Sequence, residues 1–367
     1  MKIVHYTYDI ENVEFIKESF KLLHSTDYEK VLYFDIETTG LSARNSTLYL
    51  IGALSYDNNT LHLTQWFNED GYSEKELITS FNEYCKKYTH IIHFNGLTFD
   101  IPYIREKASK HNIDINNIDN LIQIDIFKEI RSYKGLFGLD NLKLVTIEKY
   151  MGIERNDTCQ GSELINVYQR YVARPDDEKE HLLLLHNHDD IIGLTKIISI
   201  LNYKLLFVKP VIKSHSISHD SSKLTIEAIT DEHLYIPKRI NQTNKDGIYI
   251  NAYDNKITLI LPVINVKLKH FFKDYKNYYY LPKEDMAIHK SVSAYVDSDN
   301  KERATKKNCY IAKDDTFIIN YDSDYPENFL KEYGDKLSYR TLNSLVSSSD
   351  DEQRKYIKNI LHNFLKK

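Results

Sequence analysis

Apolar residues run unbroken through Val31-Leu32-Tyr33-Phe34, then interleave with acids in Asp35-Ile36-Glu37 ahead of Thr38-Thr39-Gly40-Leu41. A short run rich in β-formers and closed by a glycine predicts a buried strand that stops at a turn. Strand side chains alternate, so Asp35 and Glu37 share one face and Phe34 and Ile36 the other. Residues 48–56 and 60–67 alternate in the same way around Asp57-Asn58-Asn59, a hairpin signal. Residues 90–94 and 121–125 read as two further short strands. Helical spacing of Leu77, Ile78, Phe81 and Tyr84 predicts a helix over 73–87, with Ser73 as N-cap and Glu76 completing a capping box. Residues 1–30 form a lead-in, with a short strand at 3–8 and a helical stretch near 13–23. Helices dominate from 126 to 201, over 140–152, 162–171 and a long apolar stretch at 175–201.

In that last helix, Asp190 shares its stripe with His186, Leu194, Ile197 and Leu201, which places it on the core-facing side. Asp189 is rotated towards Gly193 and Lys196 and is expected on the solvated side. A third acid, Asp100, closes Phe94-Asn95-Gly96-Leu97-Thr98-Phe99-Asp100-Ile101-Pro102, where a strand gives way to a helix over 101–112. Each piece also has a plain reading. Asp35 and Glu37 can face water at a strand end, Asp100 can be a helix N-cap, and His186 can be a hydrogen-bonded core histidine. Two acids on one face of a buried strand are costly without a cation between them, and a divalent ion with oxygen ligands meets that need.

From residue 223 the pattern changes to short alternating strands at 223–229, 247–253 and 256–266, the last two joined at Asp254-Asn255. Lysines then interleave with aromatic residues over 267–280. That mixture suits single-stranded nucleic acid, with lysines on phosphates and rings under bases, but also an ordinary sheet in a chain with 29 tyrosines. Lys301, Arg303, Lys306 and Lys307 make a second basic cluster. Residues 325–367 are expected to be two or three helices, the last starting near Ser349-Asp350.

Charge divides the chain further. Residues 1–200 carry 21 basic and 31 acidic side chains, whereas 201–367 carry 27 and 22, so a net −10 is followed by a net +5. That split fits metal chemistry in the first part and electrostatic docking in the second. At 367 residues the chain has room for two domains. Its first nine residues lack the apolar run of a secretory signal, and no stretch of about 18 apolar residues predicts a membrane span. Cys85, Cys159 and Cys309 are widely spaced, which speaks against a disulfide framework or zinc knuckle and for a cytoplasmic protein.

Asp35-x-Glu37, Asn95-x-x-x-Phe99-Asp100 and a final Asp190, in that order, resemble the DEDD superfamily of 3′–5′ exonucleases. Asp-Ile-Glu-Thr-Thr-Gly-Leu, Asn-Gly-Leu-Thr-Phe-Asp-Ile-Pro and His-Asn-His-Asp-Asp-Ile are most similar to ribonuclease-H-like domains of the YprB type. Gly152-Ile153-Glu154-Arg155 and Gly161-Ser162-Glu163 fit the middle region of that family. The resemblance covers residues 28–201 and implies an α/β, ribonuclease-H-like domain over 1–201, a mixed five-stranded sheet with flanking helices. Residues 202–367 are then a smaller α+β accessory domain with possible nucleic-acid binding. The implied activity is hydrolysis of phosphodiester bonds in DNA or RNA from a single-stranded 3′ end, with two Mg²⁺ or Mn²⁺ ions roughly 3.5–4 Å apart. Asp35 would bridge the ions, Glu37 and Asp190 would complete one site, and Asp100 would act through water on the other. His186 stands where the tyrosine-type subgroup carries Tyr and would orient or deprotonate the attacking water. Thr38, Thr39, Leu41, Asn95 and Phe99 would contact the terminal nucleotide. Two alternatives stay open, a non-catalytic nucleic-acid-binding scaffold and a structure-selective endonuclease. A zinc site using the nearby His181 and His188 is disfavoured by the ligand spacing.

Overall fold

The computed structural model describes residues 1–9, 14–155, 161–231, 234 and 236–366; Cys159 lies outside them. The chain falls into two compact units, Met1–Leu205 with His233–Lys238, and Leu206–Glu232 with Arg239–Lys367.

The first unit holds β1 (Lys2–Asp9), β2 (Val31–Thr38), β3 (Leu48–Asp57), β4 (Thr60–Phe67), β5 (His90–His93) and β6 (Ile122–Asp125). They form one mixed sheet in the order β1-β4-β3-β2-β5-β6. β2 pairs antiparallel with β3 and parallel with β5, which pairs parallel with β6. The five expected strands are thus joined by the lead-in strand β1, which pairs with β4 along its whole length. β2 is interior to the sheet, which is why its apolar run carries almost no exposed surface. Pairing shifts between Glu37 and Thr38, so the strand breaks register just past its two acids. The β3–β4 hairpin turns on Asn58 and Asn59, both at positive φ, the backbone that a two-residue type I′ turn requires.

Helices cover both faces. Helix Glu74–Cys85 buries Leu77, Ile78 and Phe81, and Phe81 stacks on Phe34 at 5.0 Å. Fully burying such a side chain contributes roughly 1.5–3 kcal/mol. The expected capping box does not form: the Ser73 hydroxyl donates to Asp70 instead, and its backbone N–H bonds the same carboxylate. On the other face, helices Gly161–Ala173 and Asp177–Ile197 pack over Tyr49, Leu50 and Phe67. The helix expected from residue 140 begins at Leu144, because Asn141 Oδ1 accepts from Lys143 N–H and the Thr146 hydroxyl and holds 140–143 in a turn.

The long helix departs most from expectation. It runs Asp177–Ile197, capped by Asp176 rather than entered at 175, and continues as a 3₁₀ turn, Ile198–Leu201, and a helix, Asn202–Val208. This run, 177–208, is long and apolar enough by composition to cross a bilayer, yet most of it is buried in the fold, including Leu183, Ile191 and Leu194. Asp189 is itself buried, 7% exposed, so its expected place on a solvated side is wrong. The helix is enclosed on more than one stripe, and a single amphipathic face does not describe it.

The second unit is built from β7 (Ile212–His219), β8 (Lys223–Thr230), β9 (Ile236–Thr243, whose first three residues belong to the first unit), β10 (Tyr249–Asp254), β11 (Lys256–Phe271), β12 (Tyr278–Leu281), β13 (Met286–His289), β14 (Glu302–Arg303), β15 (Tyr310–Asn320) and β16 (Ser338–Thr341). One sheet runs β16-β15-β11-β10-β9, with β8 also on β11 and β7 on β8, and a second runs β13-β12-β14. β11 is longer than its apolar alternation suggested, because its basic end continues pairing with β15 through Phe271. Residues 325–367 are not all helical: β16 comes first, then helices Leu342–Val346 and Asp350–Phe364, the latter capped by the Ser349 side chain.

Candidate active site

β2 and helix Asp177–Ile197 bring together four of the sequence-predicted residues. His186 Nε2 lies 3.7 Å from Glu37 Oε1 and 3.9 Å from Asp190 Oδ2. Ligand atoms of Glu37, His186 and Asp190 all fall within 4.8 Å of one another, close enough to share a metal ion. Asp35 stands two residues before Glu37 on the same strand face, and Asp100 opens helix Asp100–His111. Asp100 is not that helix's N-cap; Phe99 is, and Asp100 sits in the first turn, buried.

The carboxylates are tethered by one oxygen each. Asn187 Nδ2 donates to Asp35 Oδ2 at 3.0 Å. Tyr49 donates its hydroxyl to Glu37 Oε2 at 3.4 Å, leaving Oε1 towards His186. Arg155 Nη2 donates to Asp190 Oδ1 at 2.5 Å, leaving Oδ2 towards His186. The tethers are themselves held. Gln65 Nε2 donates to Asn187 Oδ1 at 2.9 Å, and Arg155 also grips the buried carboxylate of Glu148. Two glycines make room for this. A Cβ on Gly52 would lie 2.0 Å from Asn187 Oδ1, and one on Gly193 would lie 2.0 Å from Glu148 Oε1.

Like charges held this closely resist ionising. Burial, then the charges of Asp190, Glu37 and Asp100, push the Asp35 carboxyl well above the usual carboxylate range, while the Asn187 amide pulls it back. Burial pushes Glu37 up to about 8; the nearby His186 opposes this, and Asp190 and Asp100 reinforce it. Burial pushes Asp100 up to about 7, against the backbone amides of Asp100 itself and Ile36. Among the described residues, Arg155 is the permanent cation ion-paired to these four acids, and of the four it reaches Asp190; His186 faces Glu37 and Asp190 but is charged only when protonated. The donor set is therefore short of positive charge and rich in oxygen, which suits a hard divalent cation.

The turn before Asp100 is built around another acid. Buried Asp125, at the end of β6, accepts from the backbone N–H of Asn95, Leu97 and Lys128. Asn95 takes a positive φ of 64° and passes its carbonyl to Thr98 N–H. Phe99 packs half-buried beside Tyr103, with ring centroids 5.5 Å apart. Among the predicted nucleotide contacts, the Thr38 hydroxyl donates to the Gly40 carbonyl and Thr39 Oγ1 accepts from Thr47 N–H, so both serve their own loop. Leu41 is 89% exposed. His188 is turned to Tyr8 and Asp189 instead of joining His186. Sequence reasoning missed Tyr49, Gln65, Asn187, Glu148 and Asp125 as members of this assembly and gave Arg155 no role. The glycines opposite them, Gly52 in a strand and Gly193 in a helix, are the signals that could have exposed the close packing.

A family model described as the RNase_H superfamily matches residues 32–202, the span that carries all four acids. Similar solved structures include the family B DNA polymerase from the hyperthermophilic archaeon Pyrobaculum calidifontis, with 13% identity and a TM-score of 0.39 over 67% of this chain and 35% of that one. The Aedes aegypti Nibbler EXO domain gives 11% identity and a TM-score of 0.32 over 52% of this chain and 86% of that one. The metal-free E. coli ExoI–ssDNA complex gives 13% identity and a TM-score of 0.27 over 54% and 53%. This chain thus spans about a third of the polymerase and half of the ExoI chain. No curated protein matches it. Residues 32–202 form a ribonuclease-H-like domain, and a sheet-rich unit follows it.

Proposed function

We propose that the protein is a divalent-metal-dependent nuclease that removes nucleotides from the 3′ end of a single-stranded DNA or RNA. The observation that carries this reading is the meeting of Glu37, His186 and Asp190 within 4.8 Å at the end of β2, beside Asp35 and with too little positive charge to balance them. Asp35, Glu37, Asp100 and Asp190 would hold Mg²⁺ or Mn²⁺. When bound, the metal would supply charge neutralisation at the phosphate and a more acidic attacking water. His186 Nε2 faces the free oxygens of Glu37 and Asp190, where a water would be polarised, and takes the water's proton. The water oxygen bonds to phosphorus and the 3′ oxygen of the preceding nucleotide leaves. Asn187, Tyr49 and Arg155 orient the acids and touch no reacting atom.

End-labelled single strands of DNA and RNA test this in Mg²⁺ and in Mn²⁺. A 5′-labelled strand should shorten one nucleotide at a time, while a 3′-phosphorylated strand and a circle should resist. Internal cuts in the circle would replace this reading with an endonuclease, and binding without cleavage would replace it with a scaffold.

A further inference from the structure

The small sheet of the second unit has two unlike faces. On one, Tyr278 and Tyr280 pack over Ala287, Ala304 and Cys309, and Phe272 stacks on Tyr278 at 4.5 Å. The middle tyrosine of the three, Tyr279, points the other way. Its cross-strand partners are Ile288 on β13 and Arg303 on β14. Among the described residues its ring stacks on no other ring, and Lys290 Nζ and Lys301 Nζ each stand 5.9 Å from its centroid.

Of five cations around this sheet, one is spent internally. Lys301 donates to the carbonyls of Ser293 and Val296, but Lys290, Arg303, Lys306 and Lys307 are exposed and, among the described residues, form no ion pair. The nearby acids are engaged elsewhere: Asp285 accepts from Tyr280 and Tyr310, and Glu284 from Asn300. Residues 267–310 carry ten basic and six acidic side chains, so most of the positive balance of 201–367 lies in this stretch. A half-buried ring that stacks on no other, flanked by cations without an ion pair, fits a partner with flat π-faces spaced along an anionic backbone.

We infer that the outward face of this sheet, centred on Tyr279 and Arg303, binds single-stranded nucleic acid, with a base on the Tyr279 ring and phosphates on Arg303 and Lys290. A lipid surface fits less well, because the face carries one aromatic ring in its middle instead of an apolar edge for insertion.

The test uses the full chain in EDTA, so that binding is read without cleavage and stands apart from the nuclease reading. Fluorescence anisotropy of labelled dT₁₅ and U₁₅ would compare the wild type with Lys290→Glu/Arg303→Glu, Tyr279→Ser and Tyr279→Trp. The charge reversal should weaken binding and lower the slope of log affinity against log salt by about 1.4, roughly 0.7 for each lost phosphate contact. Tyr279→Ser should weaken binding about tenfold at an unchanged salt slope, and Tyr279→Trp should retain it. Of the three positions changed, Lys290 and Arg303 are exposed and Tyr279 is half-buried, and circular dichroism melts would verify the fold of each variant. Unchanged affinity in the charge reversal, or loss of binding to anionic lipid vesicles in place of the oligonucleotides, would overturn the inference.

Discussion

The two units hold charge in opposite ways. In the first, acids are drawn into a site with few counter-charges, and their ionisation is resisted by burial and by each other. In the second, lysines and Arg303 lie at the surface, where water screens them and their arrangement costs the fold little. A buried cluster of like charge is hard to explain without a bound partner, because the unfolded chain would hold the same groups more comfortably. An exposed basic face is tolerable without one, so its partner has to be inferred from shape and from the ring at its centre. The first arrangement therefore constrains function more tightly than the second.

The strongest way to break that contrast is to remove a site acid. Asp35→Ala or Asp190→Ala should lower the single-turnover cleavage rate by about 10³-fold or more, since each takes away several kcal/mol of charge stabilisation at the phosphate. A rate within tenfold of wild type would mean that the cluster is structural. His186→Ala should cost about 10²–10⁴-fold, the usual worth of a general base, with Mn²⁺ affinity by calorimetry kept. Loss of Mn²⁺ affinity along with the rate would instead make His186 a ligand.

Changes to the tethers should act on stability first. Gly52→Ala places a methyl 2.0 Å from Asn187 Oδ1 and 2.2 Å from Ile191 Cδ1, an overpacking expected to cost about 1–3 kcal/mol in chemical denaturation. Asn187→Ala leaves Gln65 and Asp35 without their shared partner and should cost a similar amount, about 1–3 kcal/mol.

The smallest effect expected is on pH dependence. Glu37, raised to about 8, and Asp100, raised to about 7, bind protons more tightly folded than unfolded. Their contribution to stability is full below about pH 4 and is lost as pH rises through about 7 to 8. In EDTA the first unit's melting temperature should drift downward between pH 5 and 8. Added Mn²⁺ should raise it more at pH 8 than at pH 6, because fewer protons then compete with the metal. A metal-induced shift independent of pH would disconnect these acids from the ion.

The sequence made part of this architecture legible. The apolar run of β2, the Asn58-Asn59 turn and the spacing of His186 and Asp190 each follow from local periodicity, and the structure agrees on all three. Asp189 was misplaced because helical spacing assumes one buried stripe, whereas this helix is enclosed on several sides. Ser73 was misassigned because Asp70, three residues earlier, competes for its hydroxyl. The tethers were invisible for a different reason. Asn187 reaches Asp35 across 152 residues of chain and Arg155 reaches Asp190 across 35, and no local pattern records such pairings. The Lys-Tyr run around 267–280 was legible as composition, but only the pairing of β12 shows which tyrosine turns outward.

Mn²⁺ titration followed by electron paramagnetic resonance, at pH 8 with the full chain, probes the acid cluster most directly. The wild type should take up Mn²⁺, and a variant with Asp35→Asn and Glu37→Gln, matched in shape but short of two negative charges, should lose that uptake while still melting cooperatively. Equal uptake by the two proteins, or none by either, would contradict a metal centre at the end of β2.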